Sequence, residues 1–519
     1  MKRMLLGDEA VALGAINAGI SGVYAYPGTP STEITEFIQK DPTAAARKVH
    51  SRWCTNEKTA MEAALGMSYA GRRALVCMKH VGMNVCADAF VNSAVTGVNG
   101  GLVVVAADDP SMHSSQNEQD SRFYGKFAMV PVFEPSNQQE AYDMVTDAFV
   151  FSEEVHLPVL LRMVTRLSHS RAAVEVGEAR PGKALAPSDS KGWVLLPAIA
   201  RRQYAALVGK QDTLVEKSSA LAKEEGAGSL GVIACGIAYN YVKESRASVR
   251  TLKITGYPLP QERIRAFASG CDRIMVVEDG QPVVEQEVSM MLGTSVKVEG
   301  RLTGALPRTG ELTPDSVAAA LGCGKAPTFK PVEGLPARPP QLCPGCGHRD
   351  VFKALGEIVA EYPGARVFGD IGCYTLGALP PFKSLDSCVD MGASITMAKG
   401  AADAGVFPSI AVIGDSTFTH SGMTGLLDAV NDRSNVTVIL SDNLTTAMTG
   451  GQDSAGTSRF EAICLGLGVE PEHLHVVVPV PANIGQIAET IRKEIEYDGV
   501  SVIIPRRECM QTAKRHNRK

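Results

Sequence analysis

The densest chemistry in this chain lies in IAVIGDSTFTHSGMTGLLDAVNDRSNVTVILSDNLTTAMTGGQ, which carries Asp415 and Asn443 28 residues apart. The apolar stretch Ile410 to Ile413 predicts a buried strand and the Gly-Asp pair a turn. A helix is expected through Leu427, then a second strand ending at Asp442-Asn443. Ligands of open α/β sheets bind beyond the carboxyl ends of strands, so Asp415 and Asn443 are expected near one another at one sheet edge. Gly414 lets backbone approach a phosphate closely, and the helix N-terminus behind it offers amide donors to an anion. One carboxylate, one amide oxygen and a nearby carbonyl make a poor cage for Ca²⁺. They suit Mg²⁺ that also takes diphosphate oxygens and water. A helix cap beside an Asp-Asn turn would also give a bare GD…N pattern, but it leaves the following MTGGQ without a purpose.

The second constellation is sulfur. Cys343-Pro-Gly-Cys346, followed by Gly347-His348, has the tight-turn spacing with which two thiolates grip one metal or cluster. Alone it could be a zinc half-site, a redox disulfide or part of a cluster site. No second CxxC exists, which weakens zinc, and a thioredoxin-like CxxC should open a helix directly after a strand rather than follow a Pro-rich stretch. Cys373 in GDIGCYTLG and Cys509 in VSVIIPRREC both stand just past strand-like runs, so all four could converge at one sheet edge. Cys388, in DSCVDMGAS, is the rival for the fourth place. The chain has twelve cysteines. Isolated ones such as Cys77, Cys235 and Cys464, within apolar runs, are expected to be small buried apolar residues.

The elements that must position these groups form three blocks. Strand-like runs alternate with helical patterns almost throughout, which predicts α/β architecture with parallel sheets. In the first block GVYAYPGTP, RALVCMKHVG and GLVVVAADDP read as strands, with NEKTAMEAALGMSYAG as a helix capped by Asn56 or Thr55 and opening at Glu57. A Glu there is most simply a solvated first-turn residue favoured by the helix dipole. The polar stretch EARPGKALAPSDSKG marks a linker. The second block has strands in GSLGVIACG, RTLKITGYPLP and DRIMVVEDG, with nothing at catalytic spacing. A Pro-rich connector, Lys325 to Pro344, leads to a third block of four strands: ARVFGDIGC, SIAVIGDS, NVTVILSDN and VSVIIPRREC. The domain boundaries are read as 1–180, 190–325 and 335–519.

Bulk properties exclude several classes. With 519 residues, 45% apolar and 21% charged, the chain is of ordinary globular composition and too long for one core. A formal net charge of −5 gives no electrostatic reason to bind nucleic acid or an anionic membrane. Asp8 and Glu9 interrupt the N-terminus before a signal-peptide core could form, and no run has the ~20 apolar residues of a membrane helix. A cytoplasmic location is expected. The basic cluster Lys514, Arg515, Arg518, Lys519 reads as a solvated tail.

GDS followed by DN at this distance resembles the thiamine diphosphate motif, and LTTAMTGGQ resembles the segment that follows it in the 2-oxoacid:ferredoxin oxidoreductases. The first block is similar over most of its length to the pyrimidine-binding domain of indolepyruvate-type enzymes, in YPGTPSTEI, NEKTAMEAALG, MKHVGMN, ADDPSMHSSQNEQD and RLSHS. The chain is therefore identified as resembling the large (alpha) subunit of an indolepyruvate (arylpyruvate):ferredoxin oxidoreductase. The resemblance implies a pyrimidine-type and a diphosphate-type domain with a transketolase C-terminal-like α/β domain between them. It implies Asp415, Asn443 and the Thr445 carbonyl as Mg²⁺ ligands, with Gly414 and Ser416 against the diphosphate. Glu57, rather than Glu62, would be the acid that activates the cofactor through its pyrimidine ring. Thr29 would meet substrate, and Lys79, His80, His113 and Ser114 would hold its carboxylate. Cys343, Cys346, Cys373 and Cys509 would ligate one 4Fe-4S cluster.

The activity implied is oxidative decarboxylation of an aryl 2-oxoacid, with coenzyme A taking the acyl group and electrons leaving through the cluster to ferredoxin. A non-redox thiamine decarboxylase or lyase would need Glu57 and Asp415 but no cluster. A scaffold subunit retaining only the fold would need neither. Indolepyruvate-type large subunits commonly continue into a domain with two CxxCxxCxxxCP runs, which the sequence to Lys519 does not contain. Nor does it contain a GxGGQG-like turn of the domain that closes over the active site in relatives. A smaller beta subunit is therefore expected, in a heterotetramer of two alpha and two beta chains.

Overall fold

The structure is a computed structural model that describes residues 1–187, 190–323, 332–336 and 339–516. They fall into two compact units, Met1–Pro331 and Val332–Lys519. Much of the Pro-rich connector and the C-terminal Arg518 and Lys519 lie outside the described residues. Lys514 and Arg515 are exposed as expected of a solvated tail, but they belong to a helix, Met510–His516.

The first unit is built on two large sheets, beside a two-stranded antiparallel pair of Lys2–Leu6 and Arg171–Glu175. One runs in the order Gly256–Tyr257, Val132–Phe133, Val159–Val164, Leu102–Asp108, Ala74–Lys79, Gly22–Ala25, parallel except at its first pair. Its central strands are Val- and Leu-rich and buried on both faces, as a parallel sheet covered by helices requires. Bridges from His50 and Trp53 extend its far edge. The other sheet orders Lys297–Glu299, Arg273–Val277, Leu230–Cys235, Arg250–Ile254 and Lys223–Glu225, with only the last strand antiparallel.

RTLKITGYPLP, expected as one strand, is two. Arg250–Ile254 stays in the second sheet, whereas Gly256–Tyr257 crosses to pair antiparallel with Val132–Phe133 of the first. The second block also opens with two helices, Pro197–Gly209 and Gln211–Leu221, which the strand reading passed over. Buried charges bind the two sheets together. Arg162 bonds Asp108 at 2.6 Å and the Asp279 carbonyl at 2.9 Å, while Arg122 bonds Asp120 at 2.6 Å and Glu278 at 2.8 Å.

The second unit holds one fully parallel sheet in the order Ser387–Cys388, Arg366–Gly369, Ser409–Gly414, Val436–Ser441, Val500–Pro505, Leu474–Val477. Its four central strands are the expected ones, and two edge strands were missed. The helix expected through Leu427 is broken into a short turn Asp415–Thr417, a π turn Phe418–Gly422 and a helix Met423–Asn431. The α/β reading with mainly parallel sheets holds in both units. Cys77, Cys235 and Cys464 are buried as expected.

Candidate active site

In the second unit Asp415 leaves the strand Ser409–Gly414 and Asn443 follows Val436–Ser441, so adjacent parallel strands deliver both to one edge. The Thr445 amide donates to both side chains, to Asp415 Oδ2 at 3.1 Å and Asn443 Oδ1 at 3.2 Å. Two ligand-type oxygens thus converge within reach of a single N–H. Burial pushes the Asp415 carboxyl up to about 7, with nearby Asp442 adding to the rise against the amides of Ser416 and Thr445. Positive charge between these oxygens would offset that burial, so the donor set fits a hard divalent cation. The Ser416 hydroxyl lies 2.7 Å from that of Thr446. Thr445 and Thr446 are pinned by the Gln452 carbonyl at 2.9 and 2.8 Å, which gives the MTGGQ run a structural task. A Cβ on Gly414 would stand 2.5 Å from the Tyr374 ring, so only glycine fits there.

Cys343, Cys346, Cys373 and Cys509 line one cavity of about 130 Å³, together with Asp442, Asn443, His348 and Arg507. Cys346 precedes the helix Gly347–Val359, Cys373 opens the 3-10 turn after Arg366–Gly369, and Cys509 follows Val500–Pro505. The Cys509 amide donates to the Asn443 carbonyl at 3.0 Å, which joins the sulfur cavity to the Asp415 edge. Burial pushes the Cys373 thiol up to about 12, with Cys346, Cys509 and Cys343 as its next influences. Tetrahedral zinc, with Zn–S near 2.3 Å, holds its sulfurs roughly 3.8 Å apart. Among the described residues these four cysteines do not form a group of three or more ligand atoms within 4.8 Å of one another, the spacing that a single tetrahedral ion needs. Cys388 is exposed on the edge strand Ser387–Cys388 and does not line this cavity.

In the first unit the candidates gather at the carboxyl ends of three neighbouring strands. Asn56 caps the helix Glu57–Tyr69, accepting from the Thr59 amide at 2.9 Å. Glu57 is only 5% exposed, so it is not the solvated first-turn residue that the helix dipole alone would explain. It packs on the next helix, His80–Thr96, where a Cβ on Gly82 would stand 2.6 Å from Glu57 Cγ and 2.8 Å from Oε1. Lys79 ends its strand, donates to the Ser114 carbonyl at 2.6 Å and abuts Gly28 of the YPGTP turn, beside Thr29. Burial lowers the Lys79 ammonium, though Asp109 holds it up in part. His80 is buried, its Nε2 3.3 Å from Asn117 Oδ1 and its Nδ1 without a partner. Burial, and then Lys79, lowers its pKa. His113 points elsewhere, its half-exposed ring 3.3 Å from Glu311, and Ser114 contributes backbone rather than hydroxyl to these contacts.

Residues 13–191 match the family model for pyruvate flavodoxin/ferredoxin oxidoreductase, thiamine diphosphate binding, and residues 370–504 match the C-terminal thiamine pyrophosphate-binding domain. Indolepyruvate oxidoreductase subunit IorA of Archaeoglobus fulgidus is 40% identical over 98% of this chain and 86% of its own length. The same subunit from Pyrococcus abyssi is 40% identical over 98% of this chain and 85% of its own. The chain belongs to the IorA family. It is an oxidoreductase subunit of the thiamine-diphosphate-dependent 2-oxoacid type, and as relatives are named as subunits, enzymes of the IorA family contain a partner chain. The 2-oxoglutarate:ferredoxin oxidoreductase of Magnetococcus marinus shares the fold, with TM-score 0.51 and 15% identity over 62% of this chain and 65% of its own. Among the described residues no helix is long and apolar enough to cross a membrane.

Three residues that sequence reasoning passed over shape these groups in this IorA-family chain, two in the first unit and one in the second. Asp109 accepts from the Ser114 amide at 2.8 Å and from the hydroxyls of Ser115 at 2.6 Å and Thr165 at 2.7 Å, so it fixes the loop that Lys79 meets. Gly82 makes room for Glu57. Arg507 is the cation of the sulfur cavity and favours the Cys346 thiolate, although burial dominates and raises that thiol. The run ADDPS and the paired arginines of PRREC were visible in the sequence, but their partners are distant along the chain.

Proposed function

We propose that this chain carries out oxidative decarboxylation of an aryl 2-oxoacid of the indolepyruvate kind to its acyl-CoA, passing electrons through one 4Fe-4S cluster to ferredoxin in the cytoplasm. The observation that carries this reading is the single cavity shared by four cysteines and Asn443, next to the Asp415 edge. A non-redox decarboxylase would have no use for those cysteines. Thiamine diphosphate, when bound, supplies the carbon nucleophile that adds to the keto group and takes up the electrons left as CO₂ departs.

The chain's own residues do the rest. Asp415, Asn443 and the Thr445 carbonyl hold Mg²⁺, and Gly414 and Ser416 meet the diphosphate. Glu57 holds a proton at the pyrimidine ring, a task that suits a carboxyl shielded from water. Thr29, Lys79 and His80 line the substrate side, with Lys79 supplying the charge for the 2-oxoacid carboxylate and the Ser114 backbone beside it. Residues 1–180 form the pyrimidine-binding domain, 190–325 the transketolase C-terminal-like domain and 335–519 the diphosphate and cluster domain. Two copies work with two copies of a smaller beta subunit, which shields the cofactor mouth from water.

The test is iron and acid-labile sulfide analysis of anaerobically purified protein, with viologen reduction by a panel of 2-oxoacids in the presence of coenzyme A and the co-expressed partner. About four iron and four sulfide per chain is expected, with indolepyruvate or phenylpyruvate favoured over pyruvate. Iron-free protein that decarboxylates without reducing dye would overturn the redox assignment. Preference for a branched-chain acid would overturn the aryl one alone.

A further inference from the structure

Three helices of the first unit bring together a group of metal-ligating side chains that the proposed reaction does not use. Asp8 lies in the first turn of Gly7–Asn17, Glu33 in the first turn of Thr32–Lys40, and His169 ends Thr165–His169. The first and last of these helices meet closely because position 7 is glycine, where a Cβ would stand 2.2 Å from the Leu167 carbonyl oxygen. One carboxylate oxygen from Asp8, one from Glu33 and a ring nitrogen of His169 all lie within 4.8 Å of one another.

The decisive feature is Asp8. It is 0% exposed, and neither of its oxygens makes a well-formed hydrogen bond; the neighbouring Ser168 hydroxyl only partly offsets a burial that holds the carboxyl well above its usual range. The Glu33 Oε2 atom is likewise buried without a partner. Buried polar groups are almost always satisfied, and a carboxylate taken from water without compensation is costly. Glu33, whose side chain is 38% exposed, brings a second carboxyl group to Asp8, and among the described residues the cationic partner is His169, 3.5 Å from Glu33 Oε1.

We propose that Asp8, Glu33 and His169 form a binding site for a divalent transition-metal cation of the Mn²⁺ or Zn²⁺ class. An ion at 2.1 Å from each ligand sets neighbouring donors roughly 3.0 Å apart and opposite ones roughly 4.2 Å apart, and His169 already stands 3.5 Å from Glu33 with all three donors inside 4.8 Å. Two carboxylate oxygens and one imidazole nitrogen select such ions over Mg²⁺ and Ca²⁺, which take oxygen. The His169 side chain is 35% exposed and gives the ion its way in. The bound ion would fasten the helix that follows the Thr29 turn to the helix whose Thr165 holds Asp109, and so fix two walls of the substrate side at once.

Mn²⁺ titrated into the metal-stripped full-length chain and followed by pulsed EPR tests this, because the Asp415 site offers no imidazole. One bound Mn²⁺ should show ¹⁴N coupling from a single histidine. That coupling should persist in Asp415→Ala and vanish in both His169→Gln and Asp8→Asn, while Mn²⁺ should raise the Tm of wild type and not of His169→Gln. His169→Gln alters a partly exposed position, so it keeps the test valid if Asp8→Asn fails to fold. Wild-type Mn²⁺ spectra without ¹⁴N coupling, or coupling that survives His169→Gln, would overturn the site. A proton held on Asp8 would then be what settles the buried carboxyl. Loss of iron or dye reduction leaves this outcome untouched, so failure of the proposed reaction and failure of the site are distinguishable.

Discussion

Replacing Gly82 by alanine should separate stability from activity. The added methyl would stand 2.6 Å from Glu57 Cγ, 2.8 Å from Oε1 and 3.0 Å from Cδ. Ordinary carbon contacts begin at roughly 3.5 Å, so the carboxyl must recede by about 0.7–0.9 Å. It has little room, because Glu57 is buried at the start of its helix. A displacement near 1 Å can cost about 10²-fold in rate when it moves a catalytic group. The same change favours the helix His80–Thr96, since alanine is better than glycine by up to about 1 kcal/mol in a helix interior and by less in the first turn, where Gly82 stands. Gly82→Ala should therefore fold with a Tm near that of wild type, bind thiamine diphosphate, and reduce viologen with indolepyruvate about 10²-fold more slowly. Thermal melts and single-turnover dye reduction with the partner subunit present would check both halves. A normal turnover rate in the folded variant would show that Glu57 is not the activating acid, or that its position does not matter.

Other substitutions address the remaining groups. Glu57→Gln should retain cofactor and Mg²⁺ while decarboxylation falls by about 10²–10⁴-fold, measured as CO₂ release by holoenzyme. Asp415→Ala should abolish the Mg²⁺ dependence of thiamine diphosphate affinity, read by fluorescence titration, because it removes the only anionic ligand proposed for that ion. Cys509→Ala should lose iron and dye reduction, whereas Cys388→Ala should keep both, as iron analysis of the pair would show. Arg162→Leu should cost about 3–5 kcal/mol of stability in denaturant melts, since Asp108 would be left buried without its cation and Glu134 would keep only Arg122 at 3.9 Å.

Much of the second unit was legible because its chemistry sits where strands end. A Gly-Asp after four apolar residues and an Asp-Asn after the six-residue run VTVILS fix both the strand and the edge at which its ligand waits. The same logic placed Cys373 and Cys509 beside one another while leaving Cys388 as a rival, because sequence does not say which strands lie at the sheet's rim. The Asn56 cap was readable from a local rule, and it located Glu57 before any packing was known. What resisted reading depends on distant partners. The break between Ile254 and Gly256 is set by a strand more than a hundred residues earlier, so local periodicity ran straight through it. The π turn Phe418–Gly422 has no residue-type signature of its own. His113 looked equal to His80 in its motif, yet one side chain is buried behind Lys79 and the other reaches Glu311.

The crossing of Gly256–Tyr257 into the first sheet has a consequence for how this chain comes into being. Val132–Phe133 would otherwise be a rim strand with its backbone amides and carbonyls open to any other chain, and such rims invite edge-to-edge association. On the ribosome the segment that covers it emerges more than a hundred residues later, after the whole of the first block has been made. Until then the nascent chain carries a sticky border, and Arg122 and Arg162 still lack the Glu278 and Asp279 groups that complete their bonding. The polar linker marks a boundary in the sequence but not a point at which the chain can be cut. A fragment ending there should gather in aggregates, and any natural gene that splits or swaps these blocks must carry the two-residue clasp with the first of them.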